Sequence, residues 1–138
     1  MKKLVLVSAV ITILLLTGCD KVERLVCSQK VQMVDVDMIA DWKNDELNYL
    51  GLKYTMDLSG YTDTQVEAVN KKDMCEVVKN AMSSYASAFT NCKQNLENKN
   101  LVITADFDID KMPNSAIGRK STKEEAITQL EKQGYTCK

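Results

Sequence analysis

The chain has 138 residues, enough for one domain, and its 18 Lys and Arg nearly balance its 19 Asp and Glu. This mild acidity is spread along the chain, which argues against binding to nucleic acid and against a polybasic contact with anionic lipid. The chain contains no histidine. Mechanisms that need an imidazole base, a Cys-His pair or a His-ligated metal are therefore excluded.

The N-terminal residues have the pattern of an export signal. Lys2 and Lys3 precede the apolar segment Leu4–Leu16, which as a helix would span about 20 Å, whereas the bilayer core is ~30 Å thick. That length is typical of a secretory signal and too short for a transmembrane anchor. The segment ends in Leu16-Thr17-Gly18-Cys19, which resembles the lipobox of bacterial lipoproteins. The resemblance implies cleavage before Cys19 and acylation of that cysteine, which together give a stable membrane anchor.

We therefore divide the chain into three parts. Residues 1–18 are predicted to be a signal peptide, residues 19–26 a lipidated N-terminus with a short charged tether, and residues 27–138 a single α+β domain. The predicted location is the extracytoplasmic face of a bacterial cell membrane. Because the tether is short, we expect the domain to lie close to the bilayer.

Alternating apolar residues predict the first strands. Val31–Met38 alternates but changes phase midway, which a bulge near Met33 would reconcile. Residues 42–46 are typical of a turn, and Leu50–Leu58 then alternates strictly. We interpret the two segments as an antiparallel hairpin.

The middle of the chain predicts one long helix. Thr64 and Glu67 form a capping-box pattern, and apolar residues recur at intervals of three and four up to Phe89. We therefore predict a helix over Thr64–Phe89.

The remaining elements complete the predicted fold. Leu101–Asp110 alternates as a strand, with a possible short partner strand in residues 93–100. Ser121 and Glu124 form a second capping-box pattern, which predicts a short helix closed by Gly134. The predicted class is α+β, with an antiparallel sheet of three or four strands covered by one long helix, plus a short C-terminal helix.

Four cysteines remain after Cys19, and an even number in an exported chain indicates two disulfides. They are Cys27, Cys75, Cys92 and Cys137. In one continuous helix, Cys75 and Cys92 would be about 25 Å apart, whereas a disulfide needs about 7 Å. That condition excludes the Cys75–Cys92 pairing and leaves Cys27–Cys75 with Cys92–Cys137, or Cys27–Cys92 with Cys75–Cys137. Zinc binding and catalytic thiol chemistry are less favoured, because the chain has no CxxC motif and no histidine.

The acidic clusters are interpreted as solvated strand faces. Asp106, Asp108 and Asp110 match the start of a calcium loop, but Lys111 and Ile117 occupy positions that need Gly and a bidentate acid. Asp35 and Asp37 also lie two apart on a predicted strand and receive the same interpretation. We predict no metal site, no catalytic residue and no cofactor.

The aromatic residues near the predicted strand ends offer a different possibility. Trp42, Tyr49 and Tyr61 could form a recognition patch, although partial burial at the rim of the sheet is the favoured interpretation.

The order of elements resembles the YehR-like family of small bacterial lipoproteins. The parts that carry this resemblance are the lipobox Leu16–Cys19, the alternating acidic strand Leu101–Asp110 and the terminal helix with its Gly-aromatic end, Lys123–Tyr135. The resemblance implies an α+β lipoprotein domain of unassigned role and provides no catalytic residues.

The sequence therefore favours a membrane-anchored, non-enzymatic binding or accessory lipoprotein. Its expected partners are membrane lipid, through acyl chains on Cys19, and an unknown protein or envelope component. One alternative is an envelope thiol-disulfide protein with a labile bridge. Another is a small-ligand carrier, whose predicted cavity between helix and sheet would be lined by Tyr54, Met56, Met82 and Phe107.

Overall fold

A computed structural model describes residues 21–113 and 117–138; the predicted signal peptide and Cys19 lie outside this part of the chain. Six antiparallel strands form one sheet, in the order β4-β5-β3-β2-β1-β6. The strands are β1 Val22–Val31, β2 Val34–Lys43, β3 Glu46–Asp57, β4 Phe89–Glu97, β5 Asn100–Phe107 and β6 Thr136–Cys137. The helices are α1 Asp63–Asn70, α2 Met74–Ala81 and α3 Lys123–Lys132, with 3-10 turns at Ser83–Tyr85 and Ile109–Lys111.

The predicted sheet of three or four strands covered by one long helix is therefore wrong. The first strand begins at Val22, within the segment predicted as a tether. The phase change near Met33 is a two-residue hairpin turn between β1 and β2, with Gln32 at φ 56°, and not a bulge. One predicted strand is thus two strands. The short strand predicted in residues 93–100 as the partner of Leu101–Asp110 is confirmed as β4, which begins earlier, at Phe89, and pairs antiparallel with β5.

The predicted helix Thr64–Phe89 is broken into two. Thr62, rather than Thr64, caps α1 in a capping box with Gln65. Residues 71–73 lie between the two helices, and Asp73 is the N-cap of α2. Its carboxylate accepts a hydrogen bond from the Glu76 amide at 3.1 Å. Phe89 lies in β4 and no longer in a helix.

The short C-terminal helix is confirmed, with its cap shifted by one residue. Thr122 and Glu125 form the capping box of α3, and Gly134 follows its end with φ 94°, a conformation that favours glycine. The carbonyl of Ser121, just before the cap, accepts a hydrogen bond from the Trp42 indole at 2.7 Å. This bond joins the start of α3 to β2.

The three helices lie on one face of the sheet, so that the core is buried between them and the strands. Val78 of α2 and Ala126 and Leu130 of α3 pack with the inward side chains of the central strands. A smaller cluster of Leu58, Val66 and Leu101 lies beneath α1. The opposite face of the sheet is polar and open to solvent. Within residues 21–113 and 117–138, no helix has the length and apolarity needed to cross a membrane.

Candidate functional site

An apolar cleft lies on the helical side of the sheet. It is lined by the buried side chains of Leu50 of β3 and Leu130 of α3, and by methionines from three separate parts of the chain. These methionines are Met38, Met82 and Met112, and each is partly exposed. Thioether side chains are flexible and polarisable, and such surfaces adapt to the shape of a bound group.

Aromatic and amide side chains complete the cleft. Tyr85 and Tyr135 also line it, and Gln129 of α3 and Gln133 at the end of that helix add amide groups that can donate and accept hydrogen bonds. Burial, followed by the effect of nearby Tyr54, raises the pKa of the Tyr135 phenol. The arrangement is an apolar recess with polar groups able to orient what enters it.

The size of the cleft limits what it can hold. It is open to solvent and has a volume of about 80 Å³. Sites for drug-sized ligands have volumes of roughly 300–1,000 Å³, and a cavity of about 150 Å³ holds one benzene. The cleft therefore has room for one small apolar group, such as a single side chain of a partner.

The predicted ligand cavity is brought together only in part. Met82 and Phe107 line the cleft. Tyr54 packs against the same core without lining the cleft, and Met56 belongs to the smaller cluster under α1. Sequence reasoning missed Met38 and the other lining residues, because only long-range packing brings these separate segments together.

The disulfides join Cys27 to Cys137 and Cys75 to Cys92. The second pairing was excluded on the condition of a continuous helix, and that condition fails. The break before α2 and the return of the chain as β4 bring the Cα atoms of Cys75 and Cys92 to 5.8 Å. Two such bridges are typical of proteins that fold in an oxidising, extracytoplasmic compartment.

The open face of the sheet carries a hydrogen-bonded polar cluster. The Tyr49 hydroxyl donates to Asp106 at 2.8 Å, and the Asn91 amide donates to the same carboxylate at 3.2 Å. Burial, followed by the hydrogen bond to Asp106, raises the pKa of Tyr49 to about 12. Nearby, the Arg24 guanidinium donates two bonds to Asp41, at 2.7 and 2.8 Å. These groups satisfy one another and form an ordered, solvated surface.

The acidic clusters do not converge. Asp106 lies on the open face, Asp108 caps the 3-10 turn that follows β5, and Asp110 pairs with Arg119 at 2.7 Å. Asp35 and Asp37 lie on the open face of β2, where Ser28 donates to Asp37 at 2.6 Å. Across the described ranges, no three Cys, Asp or Glu side chains are grouped so that they could hold a metal ion.

The three predicted aromatic recognition residues are not brought together. Trp42 is only 2 % exposed and belongs to the core. Tyr49 lies on the open face, whereas Tyr61 lies just before α1, with its hydroxyl 3.8 Å from the Met33 sulfur. These three residues therefore do not form a recognition patch. Tyr49 and Tyr61 are partly buried, as the favoured interpretation predicts, whereas Trp42 is fully buried.

Comparisons with known proteins identify no family. No protein-family model matches the sequence, and no curated protein matches it. The chain is similar in structure to a protein from Streptococcus pneumoniae TIGR4 that was determined by NMR, with 17% sequence identity and a TM-score of 0.46. That match covers 88% of this chain and 86% of the other.

Proposed function

We propose that this chain is an extracytoplasmic lipoprotein, anchored in a bacterial membrane through acyl chains on Cys19, and that its domain is a non-enzymatic module that binds a protein. The observation that carries the binding role is the methionine-lined cleft, which is open, apolar and sized for one side chain. Protein interfaces concentrate their binding free energy in a few apolar anchors that fill such pockets. A small-ligand carrier is less favoured, because the cleft cannot enclose a ligand of ordinary size.

The position of Cys19 in the chain supports a domain held at the membrane surface. Three peptide units separate Cys19 from Val22, where β1 begins, so their Cα atoms can be at most about 11 Å apart. An anchor on Cys19 would therefore hold the adjacent end of the sheet against the lipid headgroups. A partner would have to be membrane-bound or to approach the bilayer closely.

Crosslinking in intact cells tests the binding role. A photo-crosslinking residue at Gln133, on the cleft, is expected to capture a defined partner, and Met112→Glu should abolish that capture by placing a charge among apolar side chains. Met33→Glu is the matched control, because Met33 is an exposed methionine on the β1–β2 turn, outside the cleft. Equal capture by the two variants would show that the cleft does not bind the partner.

Two further substitutions separate anchoring from catalysis. Cys19→Ala should release the protein from the membrane fraction and abolish its cellular effect, because the acyl chains would have no attachment site. Single substitutions such as Asp106→Asn should leave that effect intact, since the role needs no catalytic carboxylate. One indispensable surface Asp or Glu would overturn the non-enzymatic assignment.

A further inference from the structure

The two disulfides differ in how closely the core encloses them. Cys27 is 0 % exposed and belongs to the main core cluster, whereas its partner Cys137 is partly exposed. Both sulfurs of the second bridge belong to partly exposed residues, Cys75 and Cys92, so the bridges differ in that only Cys27 is fully enclosed. We propose that Cys75–Cys92 is a thiol-exchange site, which a dithiol opens in the folded protein while Cys27–Cys137 stays closed. The proposal is independent of the binding role and of the membrane anchor.

The surroundings of Cys27 make its bridge resistant to exchange. A thiolate that attacks Cys137 must expel Cys27 as an anion inside an apolar core, where a charge is costly. Direct attack on Cys27 is blocked by burial. The backbone also holds β6 in place, because Val26 and Lys138 exchange two hydrogen bonds, at 2.9 and 3.2 Å. The two sulfurs of this bridge therefore stay together even if the bond opens briefly.

The position of Cys75 favours the opposite behaviour. Asp73 is the N-cap of α2, so Cys75 is the second residue of an eight-residue helix. The positive end of the helix dipole stabilises a thiolate there, whereas the Met74 and Glu76 amides of the first turn already donate to Gln94 and Asp73. Lys79, one turn further along, adds a positive charge, while the carboxylates of Asp73 and Glu76 in the first turn oppose it. The Asp73 carboxylate already accepts a hydrogen bond from the Glu76 amide.

Cys92 supplies a second, independent reason for exchange at this bridge. It lies on β4, an edge strand of the sheet, so that one side of the strand has no neighbouring strand. The pairing with β5 shifts register between Thr90 and Lys93, and Asn91 within this interval has φ 51°. A bulge leaves residues outside the regular ladder and bends the strand. A reagent can therefore reach Cys92 without breaking the pairing of β4 with β5.

The exchange follows ordinary thiol-disulfide chemistry with a dithiol as the reductant. One thiolate of the dithiol attacks Sγ of Cys92, the protein S–S bond breaks, and its electron pair leaves on Sγ of Cys75. In the mixed disulfide, the second thiolate of the reagent then attacks the reagent sulfur that is bonded to Cys92. This closes the reagent's own disulfide and expels the Cys92 thiolate, which takes a proton. The protein disulfide gains two electrons, and the dithiol becomes a disulfide.

Opening this bridge would change a defined contact. Cys75–Cys92 joins α2 to β4 across a sequence separation of only 17 residues. The amide of Gln94 still connects the α1–α2 break to β4, by accepting from the Met74 amide and donating to the Asn70 carbonyl. We therefore expect the reduced site to keep its fold and to expose two reactive thiols.

Timed alkylation of the native full chain tests the proposal. The protein is incubated with dithiothreitol under native conditions, quenched with an alkylating reagent and mapped by mass spectrometry. Alkyl groups on Cys75 and Cys92 should appear at least about tenfold faster than those on Cys27 and Cys137. Earlier labelling of Cys27 and Cys137, or labelling of all four together, would overturn the proposal.

Two single variants test the role assigned to the helix. Cys92→Ala leaves Cys75 as a free thiol, and Cys137→Ala is the matched control that leaves Cys27 free. At neutral pH, Cys75 should alkylate faster in the folded protein than in denaturant, because the helix stabilises its thiolate. Cys27 should alkylate more slowly when folded. Slower labelling of Cys75 in the folded state would contradict the proposed leaving group.

Discussion

At the scale of single residues, the open face of the sheet depends on one aromatic side chain. The Tyr49 ring covers Gly51, two residues along the same strand, and its hydroxyl reaches Asp106 on the neighbouring β5. A Cβ at Gly51 would lie 2.6 Å from the ring carbon Cζ, which is too close for any side chain. Glycine at this position therefore allows the ring to lie flat and to donate its hydrogen bond.

This arrangement predicts a pH dependence of stability. The pKa of Tyr49 rises from 10.0 to about 12 in the folded protein, so folding favours the neutral phenol. The stabilisation is complete below pH 10, where the phenol is neutral in both states, and it is lost as the pH rises from 10 to about 12. The difference in unfolding free energy between wild type and Tyr49→Phe should therefore shrink over this interval. Urea unfolding at several pH values, followed by fluorescence of the single tryptophan, Trp42, measures it.

The comparison with Tyr49→Phe is necessary because burial also raises the pKa of Tyr54 and of Tyr135. Those two phenols titrate in both proteins and cancel in the difference. Parallel pH profiles for the two proteins would show that Tyr49 is not held neutral by its surroundings.

At the scale of elements, the break between α1 and α2 is held by a side chain of the sheet. The Gln94 amide accepts a hydrogen bond from the Met74 amide at 3.0 Å and donates one to the Asn70 carbonyl at 2.9 Å. Both partners are helix-end groups, one at the start of α2 and one at the end of α1, which lack partners within their own helices. One glutamine of β4 thus joins the end of α1 to the start of α2.

Gln94→Ala should therefore destabilise the domain by about 1–3 kcal/mol, because the Asn70 carbonyl loses the Gln94 donor and the Met74 amide keeps only its bond to the Lys72 carbonyl. Asn95→Ala is the matched control on the same strand, since Asn95 is exposed on the open face, where its amide donates to Glu97 at 2.9 Å. We expect Asn95→Ala to lower the free energy of unfolding by less than about 0.5 kcal/mol. Thermal unfolding of both variants measures the difference. Equal losses would mean that Gln94 does not secure the break.

The elements also show what the sequence could and could not predict. The alternation of apolar and polar residues is sufficient to predict β3 and β5, because each strand buries one face and the side chains alternate with period two. The helix break was hidden, because the apolar residues of α1 and α2 continue the same spacing across it. The available signal was Asp73, a strong N-cap residue three before Glu76. The polar residues of β4 indicate only a short strand in residues 93–100 and hide its start at Phe89, which continues the apolar spacing of the predicted helix. The phase change in the first strand permits a turn as readily as a bulge.

The candidate cleft was predictable only at the level of residue type. Met82 and Phe107 were identified from their apolar positions, and both line the cleft. Met38 and Met112 come from β2 and from the segment after β5, and no local pattern indicates that they meet. The predicted disulfide pairings are wrong for the same reason, since the true pairing depends on where the chain turns between elements and not on cysteine spacing.

At the scale of the whole molecule, the two disulfides close loops of very different length. Cys27–Cys137 spans 110 residues and joins β1 to the last strand, whereas Cys75–Cys92 spans 17. A crosslink restricts the unfolded chain more when its loop is longer, by about 4.7 kcal/mol for a 100-residue loop and about 3 kcal/mol for a 15-residue loop. The longer bridge should therefore contribute more to the stability of the native domain.

This ranking gives the final prediction. Replacing Cys27 and Cys137 together by Ala should lower the free energy of unfolding by about 4–5 kcal/mol, and replacing Cys75 and Cys92 together by about 3 kcal/mol. Alanine is chosen because a serine at Cys27 would bury a hydroxyl in the core. Urea unfolding followed by Trp42 fluorescence measures both, and the slope against urea should rise in each variant as the unfolded chain expands. A larger loss from the Cys75/Cys92 variant would mean that native packing around α2 and β4, rather than loop closure, determines what each bridge contributes.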